Sequence, residues 1–127
     1  MRVDQRSIAA AHGVYYALTG VWSLVSIRTF EAVTGPKAER WLVKTVGVLV
    51  LVIGGVLLRA ARRPRVSSDI ALLAAGSAAG LAAIDVVYVA KRRIAPVYLL
   101  DALAEAILVA GWVAARRGDR GPGRAGR

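Results

Sequence analysis

Four stretches of the chain are apolar for long enough to cross a bilayer, and the polar residues between them fall at turn-forming positions. A helix rises about 1.5 Å per residue, so about 20 residues span the hydrocarbon. Residues 8–27 supply a first run of this kind, for which Ser7 is a candidate N-cap. Within it His12, Gly13, Tyr16, Gly20 and Ser23 recur every three or four positions, which gathers them on one helical face. That face is expected to point into a bundle, because small residues let helices approach and polar ones avoid lipid. Residues 41–58 predict a second span, apolar on every side over 46–58, as a helix facing lipid is. A third is predicted over 70–90, capped by Ser67 or Ser68 and carrying Gly76-x-x-x-Gly80, a small-xxx-small pattern that favours close packing. The fourth covers 97–115.

The connections are equally marked. Residues 28–40 read as a polar connection with its turn at Gly35 and Pro36, after which Trp41 sits at headgroup depth. Arg59, Arg62, Arg63 and Arg65, with Pro64 among them, form a basic turn, and Lys91, Arg92 and Arg93 form another that closes at Pro96. Residues 116–127 have no apolar content to bury and read as a disordered basic tail attracted to anionic headgroups. The expected architecture is thus all-α: a single four-helix transmembrane bundle over residues 1–115, followed by that tail. The first span has a basic start but holds His12, Tyr15, Tyr16 and Trp22 and lacks a small-residue cleavage site, so it reads as a retained helix rather than a signal peptide.

Composition agrees with the pattern. Hydrophobic residues make up 57% of 127, too many for an ordinary soluble domain of this size. The formal charge of +10 would suggest nucleic acid in a soluble chain, but the basic residues gather at the ends of the apolar runs, where they read as membrane-interface charge. Nucleic acid is therefore not an expected partner, whereas the lipid bilayer and its anionic headgroups are, and a second copy of the chain is a further candidate. With no cysteine, disulfides and thiolate metal sites are excluded. Four spans put the N-terminus, the 59–69 turn and the tail on one side, with 11 of the 18 basic residues, so the positive-inside rule predicts a multi-pass inner-membrane protein with both termini in the cytoplasm.

Three carboxylates stand where a membrane helix should have none: Asp85, Asp101 and Glu105. Each costs about 2.5–3.5 kcal/mol at the bilayer centre on insertion scales, so each needs a partner, water, a proton or a function. Asp101 and Glu105 are four apart and share a face, to which Leu108 and Trp112 also belong. In the predicted topology Lys44 and Arg28 fall in the same membrane half as the three acids, and the five are expected to form an intramembrane charge layer. Pairing of the acids with Lys44, Arg28 or Arg92 would make this layer a register-fixing device, whereas a hydrated, proton-linked pocket would make it a functional site. His12 and Tyr16 are candidate polar bundle residues. His12 is the single histidine of the chain, so a histidine metal centre is not expected, and two carboxylates on one helix are thin grounds for a hard-cation site. There is no nucleophile and base pair, no phosphate-binding glycine loop and no dinucleotide fingerprint, so neither an enzyme nor a cofactor is expected.

The stretch Phe30-Glu-Ala-Val-Thr-Gly-Pro-Lys, followed by Trp41-Leu-Val-Lys-Thr-Val-Gly47, and then Asp85-Val-Val-Tyr, Pro96-Val-Tyr-Leu-Leu-Asp101 and Glu105, resembles a group of small bacterial four-helix membrane proteins of uncharacterised function. The order of a Gly-containing first helix, a polar loop with Gly and Pro, a basic residue opening the second helix and a Gly-rich helix is similar, more distantly, to the DoxX-like small membrane proteins. The resemblance implies a four-helix membrane fold and brings with it no activity and no functional residue. Two functional readings follow: the expected one is a structural or accessory membrane protein that self-associates through faces such as Gly76 to Gly80, because a 127-residue monomer with short turns leaves little room for an alternating-access cavity, and the alternative is a small-ligand or proton-coupled transporter or binding protein that uses the buried carboxylates.

Overall fold

A computed structural model describes residues 4–34 and 40–119. Among them helices are the one kind of regular secondary structure: α1 (Gln5–Val25), α2 (Ile27–Thr34), α3 (Arg40–Ala61), α4 (Ser68–Ala90) and α5 (Tyr98–Asp119). Of these, α1, α3, α4 and α5 are long and apolar enough to cross a membrane, and the fold is that of a multi-pass membrane protein. The spans agree with the hydrophobic pattern to within a few residues at each end.

The differences have local causes. Asp4, not Ser7, caps α1: its carboxylate accepts from the Ser7 N–H at 2.7 Å, so the helix starts a turn earlier. Ser67 caps α4 by accepting from the Ile70 N–H. The polar connection predicted over 28–40 opens as the short helix α2, because Phe30 and Thr34, four apart, bury one face while Arg28 and Thr29 face out. Its start is tied to the end of α1: the Trp22 indole N–H donates to Thr29 Oγ1 at 2.9 Å, and the Trp22 and Phe30 rings meet edge to face at 5.1 Å. Gly35 and Pro36 lie outside the described residues, as does the part of the predicted tail beyond residue 119; Arg116 and Arg117 continue α5.

The helix α4 ends in a motif that the sequence did not announce. The Arg93 N–H reaches back to the Tyr88 carbonyl at 2.9 Å and the Arg92 N–H to that of Val89 at 3.0 Å, with Arg92 at φ 58. These are the two hydrogen bonds of a Schellman ending, whose left-handed position normally belongs to glycine. Arg92→Gly is therefore expected to raise stability by about 1 kcal/mol, measured by unfolding in mixed detergent micelles. An unchanged or lowered stability would show that the arginine side chain contributes more than its backbone costs.

Helix α1 is the central element, packed on α3 along one side and on α5 along another, while α4 packs mainly on α5. The α1–α3 seam is antiparallel and built on glycine: Gly13 meets Gly54 and Leu58, and Gly20 meets Gly47 and Leu51. A Cβ at Gly54 would lie 2.6 Å from the Ala17 backbone nitrogen and 2.8 Å from the Gly13 carbonyl oxygen. The predicted inward face of α1 is observed: His12, Gly13, Tyr16, Gly20 and Ser23 are all buried. By contrast Gly76 and Gly80 are exposed, with nothing within 4 Å of a Cβ at either, so the close packing expected of them does not occur within the chain. The Arg6 guanidinium donates to the Ala61 carbonyl at 3.0 Å, which places the start of α1 beside the end of α3. Apolar side chains such as Leu49, Val52, Leu72 and Leu100 stay outward along α3, α4 and α5, as lipid-facing residues do.

Candidate functional site: a buried acidic cluster between three helices

The inner face of α1 turns one row of small residues to α3 and a row of aromatic, hydrogen-bonding ones to α5. Because α1 and α5 run antiparallel, His12 and Tyr16 on α1 face Trp112 and Glu105 on α5, each pair bridged by one hydrogen bond. The Tyr16 hydroxyl donates to Glu105 Oε2 at 2.8 Å, and the Trp112 indole N–H donates to His12 Nδ1 at 3.0 Å. The Tyr15 hydroxyl donates to Asp101 Oδ1. Rings fill the space between: those of His12 and Tyr16 meet edge to face at 4.1 Å, and those of Tyr15 and Tyr16 lie 6.2 Å apart.

Helix α4 adds the third acid. Asp85 is buried, 6% exposed, and its carboxyl faces that of Asp101. Its Oδ2 has no hydrogen-bond partner among the described residues, and neither has His12 Nε2. With Nδ1 accepting from Trp112, a neutral His12 carries its proton on Nε2, so the cluster holds one buried acceptor and one buried donor that no protein group satisfies. Such groups cost about 1–3 kcal/mol each when left unmet.

Asp85, Asp101, Glu105, His12 and Tyr16 are thus brought together, and Lys44 and Arg28 are not. Both cations are exposed, and neither makes an ion pair with any of the three acids among the described residues. The expected pairing is corrected by the helix arrangement. Helix α1 stands between α3 and α5, and Gly47, three residues beyond Lys44, packs against Ser23 and Leu24 near the far end of α1. Lys44 therefore emerges toward that end of the bundle, where its stem can carry the ammonium outward. Arg28 belongs to α2, past the end of α1. Tyrosine hydroxyls take the place that the cations were expected to fill.

Two members of the cluster were not singled out from sequence as site residues. Trp112 was legible as a face partner of Asp101 and Glu105, but its bond to His12 was not. Tyr15 was hidden by depth: it stands ten residues from each end of α1, yet it meets Asp101, the fourth residue of α5. Among the described residues no group of three or more histidine, aspartate or glutamate side chains could hold a metal ion. No family model, no curated protein and no solved structure matches the chain.

Proposed function

We propose that this chain is a small multi-pass protein of the inner membrane that binds a small ligand in a proton-linked manner at the Asp85, Asp101 and Glu105 cluster. The observation that carries the reading is the gathering of three carboxylates between the helices, two of them held by tyrosine hydroxyls and, among the described residues, none paired with a basic side chain. Three ionised carboxylates at such a place repel one another and are poorly solvated, so the charge must be neutralised by protons or by a bound cation. A cluster that can exchange the two is a proton-linked binding site, and intramembrane acids without cationic partners suit that use better than they suit a rigid brace.

The test replaces Asp101 by Asn and Glu105 by Gln, which keep shape and most hydrogen bonding and remove ionisation. Purified protein is titrated across the neutral range while proton uptake and the carboxylic C=O infrared band are followed. The wild type is expected to show a titrating band that is weakened in the double variant, which still holds Asp85, while helix content and elution as a folded particle are kept. A wild-type band that does not respond to pH would sink the reading.

A structural or accessory role is the second reading, favoured by the way the Tyr15 and Tyr16 hydroxyls fasten α1 to α5. It predicts the opposite pattern: the double variant loses helix association, and proton uptake does not distinguish it from the wild type.

For orientation we keep the positive-inside reading, with both termini cytoplasmic and the basic turn around Arg62 and Arg63 against anionic headgroups. Reporter fusions in the 62–66 turn and in the 91–96 turn are expected to report cytoplasm and exterior respectively, and the reverse result would overturn it. The DoxX-like likeness remains one of pattern and supports the four-helix membrane arrangement alone.

A further inference from the structure

On the reading that the acidic cluster is a proton-linked binding site, we infer that its ligand is a small primary ammonium cation, held by Asp85 and Asp101 beside the Tyr15 and Tyr16 rings and taken up in exchange for a proton.

Three observations specify the ligand. The first is the sign of charge: the groups facing the cluster from α5 are Asp101 and Glu105, from α4 Asp85, and from α1 Tyr15, Tyr16 and His12, while the α3 cations Lys44 and Arg59 are exposed. Nothing in that set supplies a fixed positive charge to balance the acids. The second is the unmet acceptor. Asp85 Oδ2 is buried without a donor, and the Tyr15 and Tyr16 hydroxyls are already committed to Asp101 and Glu105. A ligand that completes the site must bring N–H or O–H groups of its own, which a primary ammonium does three times over and a quaternary ammonium cannot. The third is the aromatic wall: the rings of Tyr15 and Tyr16 stand beside the acids, and a ring face attracts an organic cation. A bare metal ion would not use those rings, and the described residues offer no metal-holding group.

The exchange balances simply. A carboxyl of the Asp85 and Asp101 pair gives its proton to water, the resulting carboxylate accepts an N–H of the incoming ammonium, and no bond to nitrogen forms or breaks. The cluster keeps the same net charge before and after. Asp101 and Tyr15 are half-buried, whereas Asp85, Glu105 and Tyr16 are buried.

The experiment uses the full chain in lipid nanodiscs, titrated with methylammonium chloride at constant ionic strength in weak buffer, with heat and released protons recorded together. Saturable binding is expected, with about one proton released per cation, and it is expected to weaken about tenfold or more in Asp85→Asn. Tetramethylammonium, which has no N–H, is expected to bind about tenfold more weakly than methylammonium. Should Asp85→Asn fail to fold, Asp101→Asn serves in its place. Equal affinity for the two cations, or methylammonium binding that survives the loss of the acid, overturns the inference. If methylammonium does not bind but the wild type still takes up protons at the acidic cluster, the ammonium assignment falls and the proton-linked reading stands. If neither occurs, both fall.

Discussion

Gly54→Ala is expected to lower the stability of the protein by about 2 kcal/mol, although alanine is the better helix former. In a lipid-facing helix the substitution would ordinarily gain about 1 kcal/mol, since glycine gives the unfolded chain more freedom to lose. Here the added Cβ meets backbone: the Ala17 nitrogen at 2.6 Å and the Gly13 carbonyl oxygen at 2.8 Å. Neither can rotate aside as a side chain would, so α1 and α3 must separate along the whole seam, and overpacking of this kind costs roughly 1–3 kcal/mol and occasionally more. Gly20→Ala should behave alike, its Cβ lying 2.7 Å from the Gly47 carbonyl oxygen. Gly55, Gly76 and Gly80 are internal controls, with nothing within 4 Å of an added Cβ. Alanine at each of these is expected to be neutral or stabilising within the monomer. Unfolding in mixed detergent micelles ranks the five variants, and Gly54→Ala as stable as Gly55→Ala would mean that the seam is not packed as described.

That contrast also shows what the sequence could and could not disclose. The spans were legible because bilayer thickness fixes their length and polar turns punctuate them. The inward face of α1 was legible because its small and polar residues repeat at helical spacing. Which glycines carry the packing was not: Gly76-x-x-x-Gly80 has the familiar spacing and faces outward, whereas the working glycines, Gly13 with Gly20 and Gly47 with Gly54, are seven apart on two helices and become a seam only when those helices are known to be neighbours. The acids were legible as a problem, since each lies in an apolar run, but their partners were not. Sidedness predicts Lys44 and Arg28 in the same membrane half as the acids without fixing the rotation of α3 or the neighbour of α5, and those two facts decide whether a cation can reach an acid. The tyrosines were present in the pattern as bundle residues. Their role as donors depends on α5 lying against α1, which no local signal encodes.

Tyr16→Phe should cost about 2 kcal/mol, and adding Glu105→Leu should restore most of it. Both side chains are almost fully buried, each 1% exposed, and they share one hydrogen bond of 2.8 Å. Phenylalanine removes only the hydroxyl, so little space opens, and the loss comes from Glu105 having no donor where water cannot replace it. Glu105→Leu alone leaves the Tyr16 O–H as the orphan, a smaller penalty because that group is neutral. In the double variant an apolar pair of similar volume occupies the site, and replacing a buried polar pair in this way is often neutral or stabilising. The four proteins form a thermodynamic cycle, measured by unfolding in mixed detergent micelles, in which a coupling of about 2 kcal/mol is expected. Additivity to within about 0.5 kcal/mol would show that the two groups do not share a bond. The double variant also separates brace from site. Its stability close to wild type would give a folded bundle whose cluster lacks one acid and its donor. If fastening α1 to α5 were the whole purpose of the pair, that protein should behave as wild type in every assay, whereas a proton-linked site predicts that it folds normally and takes up fewer protons.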